Sequence, residues 1–176
     1  MKKILLTLLI LSLFGSASLF GQNKKSISEK AVVQNSVNLI EGEDYSVEIP
    51  ASWKLNMVRQ DVGGMVLEFM AVAEDGATNI LLQTTEGDPE GMSEREFLGA
   101  MVAMVGAMAD EIEILGETED RMCYCVTIEG QLVVQDVFCI FGDGKIYVFA
   151  ASTTLEAYES YADIFDAVYE SFEITE

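Results

Sequence analysis

A run of three strand-like segments separated by glycine turns is the feature that most constrains this chain. The segments are residues 122–128 (MCYCVTI), 131–141 (QLVVQDVFCIF) and 145–152 (KIYVFAAS). Their β-branched and aromatic side chains suit a pleated, half-buried surface. Glu129-Gly130 and Gly142-Asp143-Gly144 are turn residues, since glycine adopts positive φ without steric cost. The pattern predicts an antiparallel meander, and it contains no catalytic signature.

The N-terminus has the layout of a secretory signal peptide. Lys2 and Lys3 precede an apolar run over residues 4–14, too short to span a bilayer, and small residues follow at positions 15–18. Cleavage after Ser18 and cleavage after Gly21 both fit. We favour the second, because the Leu-Phe-Gly-Gln junction resembles signal junctions of Bacteroidetes-type bacteria. The first cysteine is Cys123, so no acceptor for a lipid anchor follows the apolar run.

These features predict a periplasmic or extracellular protein that is not a lipoprotein and keeps no transmembrane anchor after processing. We divide the chain into a signal peptide (residues 1–21), a polar leader (residues 22–44) and a single domain (residues 45–176). The leader holds Lys24, Lys25 and Lys30, the only basic cluster after the signal peptide, and a short strand is expected at residues 37–40. The roughly 155 residues after the signal peptide are enough for one domain with its own core.

The charge balance is strongly acidic. Ten Lys and Arg residues face 30 Asp and Glu residues, which gives a net charge of −20. Such a surface repels nucleic acid and anionic headgroups and favours cations or basic partners. The plainer interpretation, which we prefer, is an acidic surface that keeps the protein soluble.

The first half of the domain is predicted to contain strands. Residues 45–49 alternate between apolar and polar side chains until Pro50 removes a backbone donor, and Trp53 follows as an expected core residue. A hairpin is expected at residues 54–73 and a further strand at residues 78–84.

Two helices are predicted by capping-box spacing. Ser93 with Glu96 opens the first helix, and Thr153 with Glu156 opens a second helix that runs to about Phe172. Between the first helix and the meander, residues 111–115 (EIEIL) alternate as a strand does.

The first helix has two contrasting faces. Large apolar residues form the face expected to pack on the sheet: Phe97, Leu98, Met101, Met104, Val105 and Met108. Small residues form the opposite face: Gly99, Ala100, Ala103, Gly106 and Ala107. Each glycine costs a helix about 1 kcal/mol relative to alanine, so something should offset that cost. We hypothesise that the leader, a protein partner or a second copy covers the Gly99/Ala103/Gly106 face; the alternative is an exposed, slightly unstable face.

The second helix is predicted to be acidic on one side. Its apolar side is expected to hold Leu155, Tyr158, Tyr161, Ala162, Phe165, Val168, Tyr169 and Phe172. Its other side carries an acidic stripe of Glu156, Glu159, Asp163, Asp166 and Glu170. No basic residue follows Lys145, so like charges three and four apart should weaken this helix.

The order of elements resembles the bacterial PsbP/DcrB-like family, which shares the PsbP/Mog-type fold. The resemblance rests on Tyr45-Ser-Val-Glu-Ile-Pro50 with Trp53, on the helix that begins at Ser93, and on the final helix ending Val168-Tyr-Glu-Ser171-Phe172. It covers residues 44–174 and implies an α+β fold, an α/β/α sandwich with a central antiparallel sheet flanked by helices. Family members are mostly non-catalytic accessory or binding proteins. Unlike DcrB-type lipoproteins, this chain lacks a lipidation cysteine, and no residues specific to Ran or photosystem binding can be matched.

The absence of histidine excludes Ser-His-Asp and Cys-His catalysis and His-containing metal sites. There is no phosphate-binding loop and no dinucleotide fingerprint, so we expect no enzyme activity, no cofactor, and no catalytic or metal-binding residues. Residues 41–44, residues 117–120 and Asp143 supply acids that calcium could use, but none has the ligand pattern of an EF-hand. Cys139 could pair with Cys123 or Cys125; buried free thiols are favoured.

Two functions therefore stand. The first is a non-catalytic, exported accessory domain that docks on a protein partner in the cell envelope. The second is a small carboxylate-based hydrolase or ligand-binding protein with a pocket at a sheet edge. A pocket that converges two or more buried acids favours the second, and an apolar surface patch favours the first.

Overall fold

The computed structural model describes residues 36–62, 64–87, 89, 91–142 and 144–175. The elements in that part of the chain are β1 (Val37–Glu41), β2 (Tyr45–Pro50), β3 (Lys54–Val62), β4 (Met65–Val72), β5 (Asn79–Glu86), α1 (Glu94–Gly106), β6 (Glu111–Glu117), β7 (Arg121–Ile128), β8 (Gln131–Phe141), β9 (Lys145–Thr153), α2 (Leu155–Glu170) and β10 (Glu173–Ile174). The predicted signal peptide, residues 22–35 of the leader and Asp143 lie outside the described residues.

Seven strands form one antiparallel sheet in the order β3-β4-β5-β9-β8-β7-β6. The predicted meander is confirmed, because β7, β8 and β9 pair with one another in sequence. At the β7–β8 turn Glu129 has φ 52° and Gly130 has φ 76°. Two consecutive residues with positive φ match the twist of a tight hairpin.

A second, three-stranded sheet has the order β1-β2-β10. The strand expected at residues 37–40 is present as β1, which pairs with β2. The local sequence does not indicate this separate sheet. Its third strand, β10, has only two residues, and it pairs with Tyr45 and Ser46 of β2 after α2 has brought the chain back to them.

Two hydrophobic cores lie on the two faces of the large sheet. Successive residues of β9 contribute alternately, as the pleat requires. Ile146, Val148 and Ala150 join the core that holds Leu98, Met101 and Val105 of α1. Tyr147, Phe149 and Ala151 join the core that holds Phe165, Val168 and Tyr169 of α2 together with the inward residues of β2. In the part of the chain that the structure describes, antiparallel sheet with two helices agrees with the expected α+β class.

The first helix starts where the sequence predicts. Ser93 is the N-cap, and its capping box with Glu96 is complete. The prediction for the second helix is wrong by one residue, because the N-cap is Thr154, whose side chain accepts from the Ala157 amide. Thr153 ends β9 opposite Val134, and its hydroxyl is buried 2.8 Å from that of Thr78. Thr153 therefore belongs to the sheet, although the local spacing predicted it as the N-cap of the helix.

Several burial predictions are corrected by the structure. Met108 is 40% exposed because α1 ends two residues before it, and Leu155 is 47% exposed at the first turn of α2. Val102, which the helical pattern did not assign to the large face, is buried. Trp53 is confirmed as a core residue, with its ring packed on Tyr161 and Phe165.

Candidate interaction surface

The predicted small face of α1 is solvent-facing over most of its length in the described part of the chain. Ala100, Ala103 and Ala107 are exposed, and a Cβ added at Gly99 would meet nothing within 4 Å. Gly106 differs, because a Cβ there would lie 3.3 Å from Ile112 Cγ2 of β6. Close packing against β6 therefore accounts for Gly106 but not for Gly99.

Strand β6 extends the same surface. It is an edge strand, paired only with β7 in the described sheet, and a register shift after Ile114 leaves Leu115 out of the pairing. Ile112 and Ile114 are two residues apart and so point to the face that α1 covers. Ile114 is 47% and Leu115 is 45% exposed. We call Gly99, Ala103, Gly106, Ile112 and Ile114 the α1–β6 surface.

The charged residues next to the α1–β6 surface lie on α1 and on β6. Arg95 of α1 forms an ion pair with Glu117 of β6 at one end. Glu111 and Glu113 on the same edge strand are exposed and have no counter-charge among the ion pairs of the described residues, but they alternate with Ile112 and Ile114 and so point to the opposite face of the sheet. The uncharged surface thus ends at an ion pair, and the unpaired acids of β6 lie on the other face of that strand.

A buried polar cluster lies on the other side of the sheet, beneath α2. Arg121 Nε and Nη2 donate to the two carboxylate oxygens of Asp136 at 2.8 and 2.6 Å, and Nη1 reaches Asp166 at 2.5 Å. Tyr169 OH donates to the Asp136 carbonyl oxygen at 2.8 Å, and Tyr158 OH lies 3.3 Å from the carboxylate. The Asp136 side chain is fully buried, so this fork neutralises a charge that could not be buried alone.

Sequence reasoning missed this cluster. Arg121 is the only basic residue between Arg95 and Lys145, and this isolated position is the sequence signal that could have pointed to the cluster. Its hydrogen bond with Asp136 raises the pKa of the Arg121 guanidinium despite partial burial, so the group stays charged. Every polar group in the cluster has a partner, and the arrangement ties α2 to β7 and β8.

The cysteines are free and buried, as the favoured interpretation predicted. Burial raises the pKa of the Cys123 thiol to about 11, and burial also raises the pKa of Cys125 and of Cys139. Cys123 and Cys125 lie together beside Val134 and Tyr158, whereas Cys139 belongs to the core beneath α1. Protonated thiols in apolar surroundings are poor nucleophiles.

A pocket of about 440 Å³ opens between the β1–β2 turn and strands β3 and β4. It is lined by Glu41, Gly42, Glu43, Tyr45, Met57, Arg59 and Glu68. Only one of its three acids is largely covered, since the Glu68 side chain is 12% exposed and that of Glu43 is 74% exposed. Gly42 is required, because a Cβ there would lie 2.1 Å from the Tyr45 ring.

The acidic segments that could have supplied calcium ligands are divided among other partners. Asp44 pairs with Lys145, and Glu43 pairs with Arg59. Glu117 pairs with Arg95, and Asp120 accepts from the Thr118 hydroxyl. Over the described ranges, no three carboxylate or thiol side chains come together as metal ligands would.

Comparison with solved structures identifies the architecture. Cyanobacterial PsbP (CyanoP) from Synechocystis sp. PCC 6803 superimposes with a TM-score of 0.59 at 15% identity, covering 84% of this chain and 97% of CyanoP. The Ran-binding protein Mog1p of Saccharomyces cerevisiae superimposes with a TM-score of 0.54 at 12% identity, covering 80% of this chain and 96% of Mog1p. The fold is that of PsbP and Mog1.

The expected PsbP/Mog-type fold is therefore confirmed at the level of architecture. No family model and no curated protein matches the sequence. None of the helices in the described residues is long and apolar enough to cross a membrane.

Proposed function

We propose that this protein is a non-catalytic, exported accessory domain that docks on a protein partner in the cell envelope through the α1–β6 surface. The observation that carries the proposal is the continuity of an uncharged helix face with an exposed edge strand. Ala103 and Ile114 lie on that surface, and both are exposed.

The energetics of α1 support a covered surface. An exposed helix face normally carries Lys, Glu or Gln, and a glycine in its place costs about 1 kcal/mol relative to alanine. The contact with Ile112 offsets this cost at Gly106, whereas nothing within the described residues does so at Gly99. Small side chains allow another backbone to approach closely, so a partner helix or strand would recover the cost at Gly99.

The charge near the surface indicates the partner's chemistry. Glu117 borders the surface, Glu111 and Glu113 lie on the same edge strand but point to the opposite face of the sheet, and the net charge of −20 opposes self-association. A partner with apolar residues flanked by Lys or Arg fits this surface better than a second copy does. Complementary charge would speed the encounter and select the partner, and apolar contact would supply affinity.

A non-catalytic role is supported by the chemistry of the chain. It has no histidine, and its thiols are buried. The best-formed charged cluster, Arg121 with Asp136 and Asp166, is saturated by its own hydrogen bonds. Export is proposed from the signal-peptide pattern, with Gln22 as the first residue and no acyl chain. Intact-mass measurement of the exported protein tests both points, and a retained leader or an added acyl mass would defeat them.

The docking proposal is tested by Ala103→Glu with Ala167→Glu as its matched control. Both residues are exposed alanines on helices, one on the α1–β6 surface and one on α2. The purified domain is used to recover partners from the native envelope, followed by quantitative mass spectrometry. We expect a protein recovered by the wild type and by Ala167→Glu to be lost with Ala103→Glu, with all three domains equally folded. If Ala103→Glu leaves recovery, association state and stability unchanged, the surface is ordinary and the proposal fails.

The edge pocket favours a second candidate, a carboxylate-based hydrolase or ligand-binding protein. Glu68 is its one largely covered acid, held by the Thr84 hydroxyl at 3.0 Å. A ligand would be expected to carry a positive charge, because three glutamates and a single arginine line the pocket. Loss of binding of such a ligand in Glu68→Gln, with binding kept in Ala103→Glu, would favour this candidate over the first.

A further inference from the structure

The outward face of α2 carries negative charge that α2 itself does not balance. Arg121 bridges Asp166, the one member of the acidic stripe held by the buried cluster. Glu156, Glu159, Asp163 and Glu170 are exposed. No Lys or Arg occurs after Lys145, so any further counter-charge must come from an earlier part of the sequence or from another molecule.

The chain enters the described fold on the α2 side. The Ser36 carbonyl oxygen accepts from the Ala51 amide at 3.0 Å. Two residues further on, the Trp53 ring packs on Tyr161 and Phe165 of α2, with ring centroids 6.0 and 6.5 Å apart. Helix α1 lies on the opposite face of the large sheet. Ser36, the first residue that the structure describes, therefore lies on the α2 side of the sheet and away from the small face of α1.

The length of residues 22–35 and their positive charge both suit docking on the acidic face of α2. Residues 22–35 could span roughly 45 Å when extended, whereas α2 is about 24 Å long. Between Trp53 and the acidic stripe, the helix surface presents Ala157, Ser160 and Ala167, none of them charged. Lys24, Lys25 and Lys30 are three of the few cations in the chain, and all precede Ser36.

We propose that residues 22–35 dock along the acidic face of α2, with Lys24, Lys25 and Lys30 beside Glu156, Glu159 and Asp163. The contact is intramolecular and electrostatic, so it holds at low ionic strength and weakens as salt screens exposed charges. It also leaves the α1–β6 surface free for a separate partner.

Zero-length carbodiimide crosslinking of the chain from Gln22 tests the proposal, because this reagent joins a lysine to a carboxylate only where they touch. Mass spectrometry then assigns which of the 30 acids the three lysines reach. We expect crosslinks to Glu156, Glu159 and Asp163 to exceed the average per acid about fivefold at low salt, and the excess to disappear at high salt. The other acids of the chain serve as internal controls.

Two double variants sharpen the result. Glu159→Gln with Asp163→Asn should abolish most of the excess, whereas Glu119→Gln with Glu129→Gln, which removes the same charge from exposed positions on the β7 turns, should leave it intact. Replacing the three lysines with glutamine should lower the melting temperature at low salt and have no effect at high salt.

Crosslinks scattered over other acids, or confined to Glu48, Glu74 or Asp75 near the entry point, would overturn the proposal. Crosslinks between differently isotope-labelled copies would do so as well, by assigning the face to a second molecule.

Discussion

The two helices cover opposite faces of one sheet with different chemistry. Helix α1 packs aliphatic and thioether side chains such as Leu98, Met101 and Val105 and exposes small residues without charge. Helix α2 packs aromatic side chains such as Phe165 and Tyr169, sits over a buried ion pair, and exposes acids. The α1 side therefore exposes an uncharged surface, whereas α2 is attached by both aromatic packing and a buried ion pair and exposes acids.

The largest contrast between the two sides is expected in their cores. Phe165 is fully buried and contacts Trp53 and Tyr161, so Phe165→Ala should cost about 4 kcal/mol of unfolding free energy, and Leu98→Ala about 3 kcal/mol. Urea unfolding followed by the fluorescence of Trp53 measures both. Leu155→Ala, at an exposed position, is the control and should change little. A smaller loss for Phe165→Ala than for Leu98→Ala would mean that the aromatic core is the looser one.

The next contrast separates a buried ion pair from an exposed one. Arg121→Ala leaves the buried Asp136 charge without its partner and should cost about 3 kcal/mol. Arg95→Ala removes an exposed pair with Glu117 and should cost less than about 1 kcal/mol. Combining Arg121→Met with Asp136→Leu should recover much of the loss in urea unfolding. Equal costs for the two arginines would show that the Asp136 site is wetter than its burial implies.

Two glycines of α1 test whether its small face is open. Gly99→Ala should raise the unfolding free energy by about 1 kcal/mol, because a methyl group there meets open space. Gly106→Ala should gain less, since its Cβ would press on Ile112 Cγ2 at 3.3 Å. Thermal unfolding of the two variants compares them. A loss of stability in Gly99→Ala would reveal that another part of the protein, or a second copy, covers the face.

The smallest expected effect is at the acidic face of α2. Glu159→Gln with Asp163→Asn removes like charges four residues apart and should stabilise by about 0.5 kcal/mol at low salt. The corresponding rise in melting temperature should shrink when salt is added. With Lys24, Lys25 and Lys30 replaced by glutamine the rise should be larger, because the leader no longer offsets the repulsion. A clear fall in melting temperature would mean that attraction of the stripe to the leader lysines or to another cation outweighs the repulsion among its own charges.

Local sequence determined most of the secondary structure of this protein. The bounds of β8 agree with the predicted strand, because the turns on both sides contain glycine. The capping box at Ser93 places the start of α1 correctly, since its two hydrogen bonds join residues only three positions apart. The class of the fold followed from the resemblance of this order of elements to the PsbP/DcrB-like family. The absence of histidine by itself removed whole classes of catalytic and metal-binding chemistry, because those sites require an imidazole wherever the chain folds.

Tertiary structure decided what depends on residues far apart in the sequence. Arg121 meets Asp166 across 45 positions, so no local pattern could reveal that α2 is tethered at its acidic stripe. Thr153 does not cap α2, because its hydroxyl is hydrogen-bonded to that of Thr78, 75 positions away. Gly106 is explained only by Ile112 of an adjoining strand, and Ser36 is placed on the α2 side only by its bond to Ala51. Local hydrogen bonds and side-chain periodicity depend on neighbouring residues. Sheet register and helix docking bring distant residues together, and only the folded chain specifies those contacts.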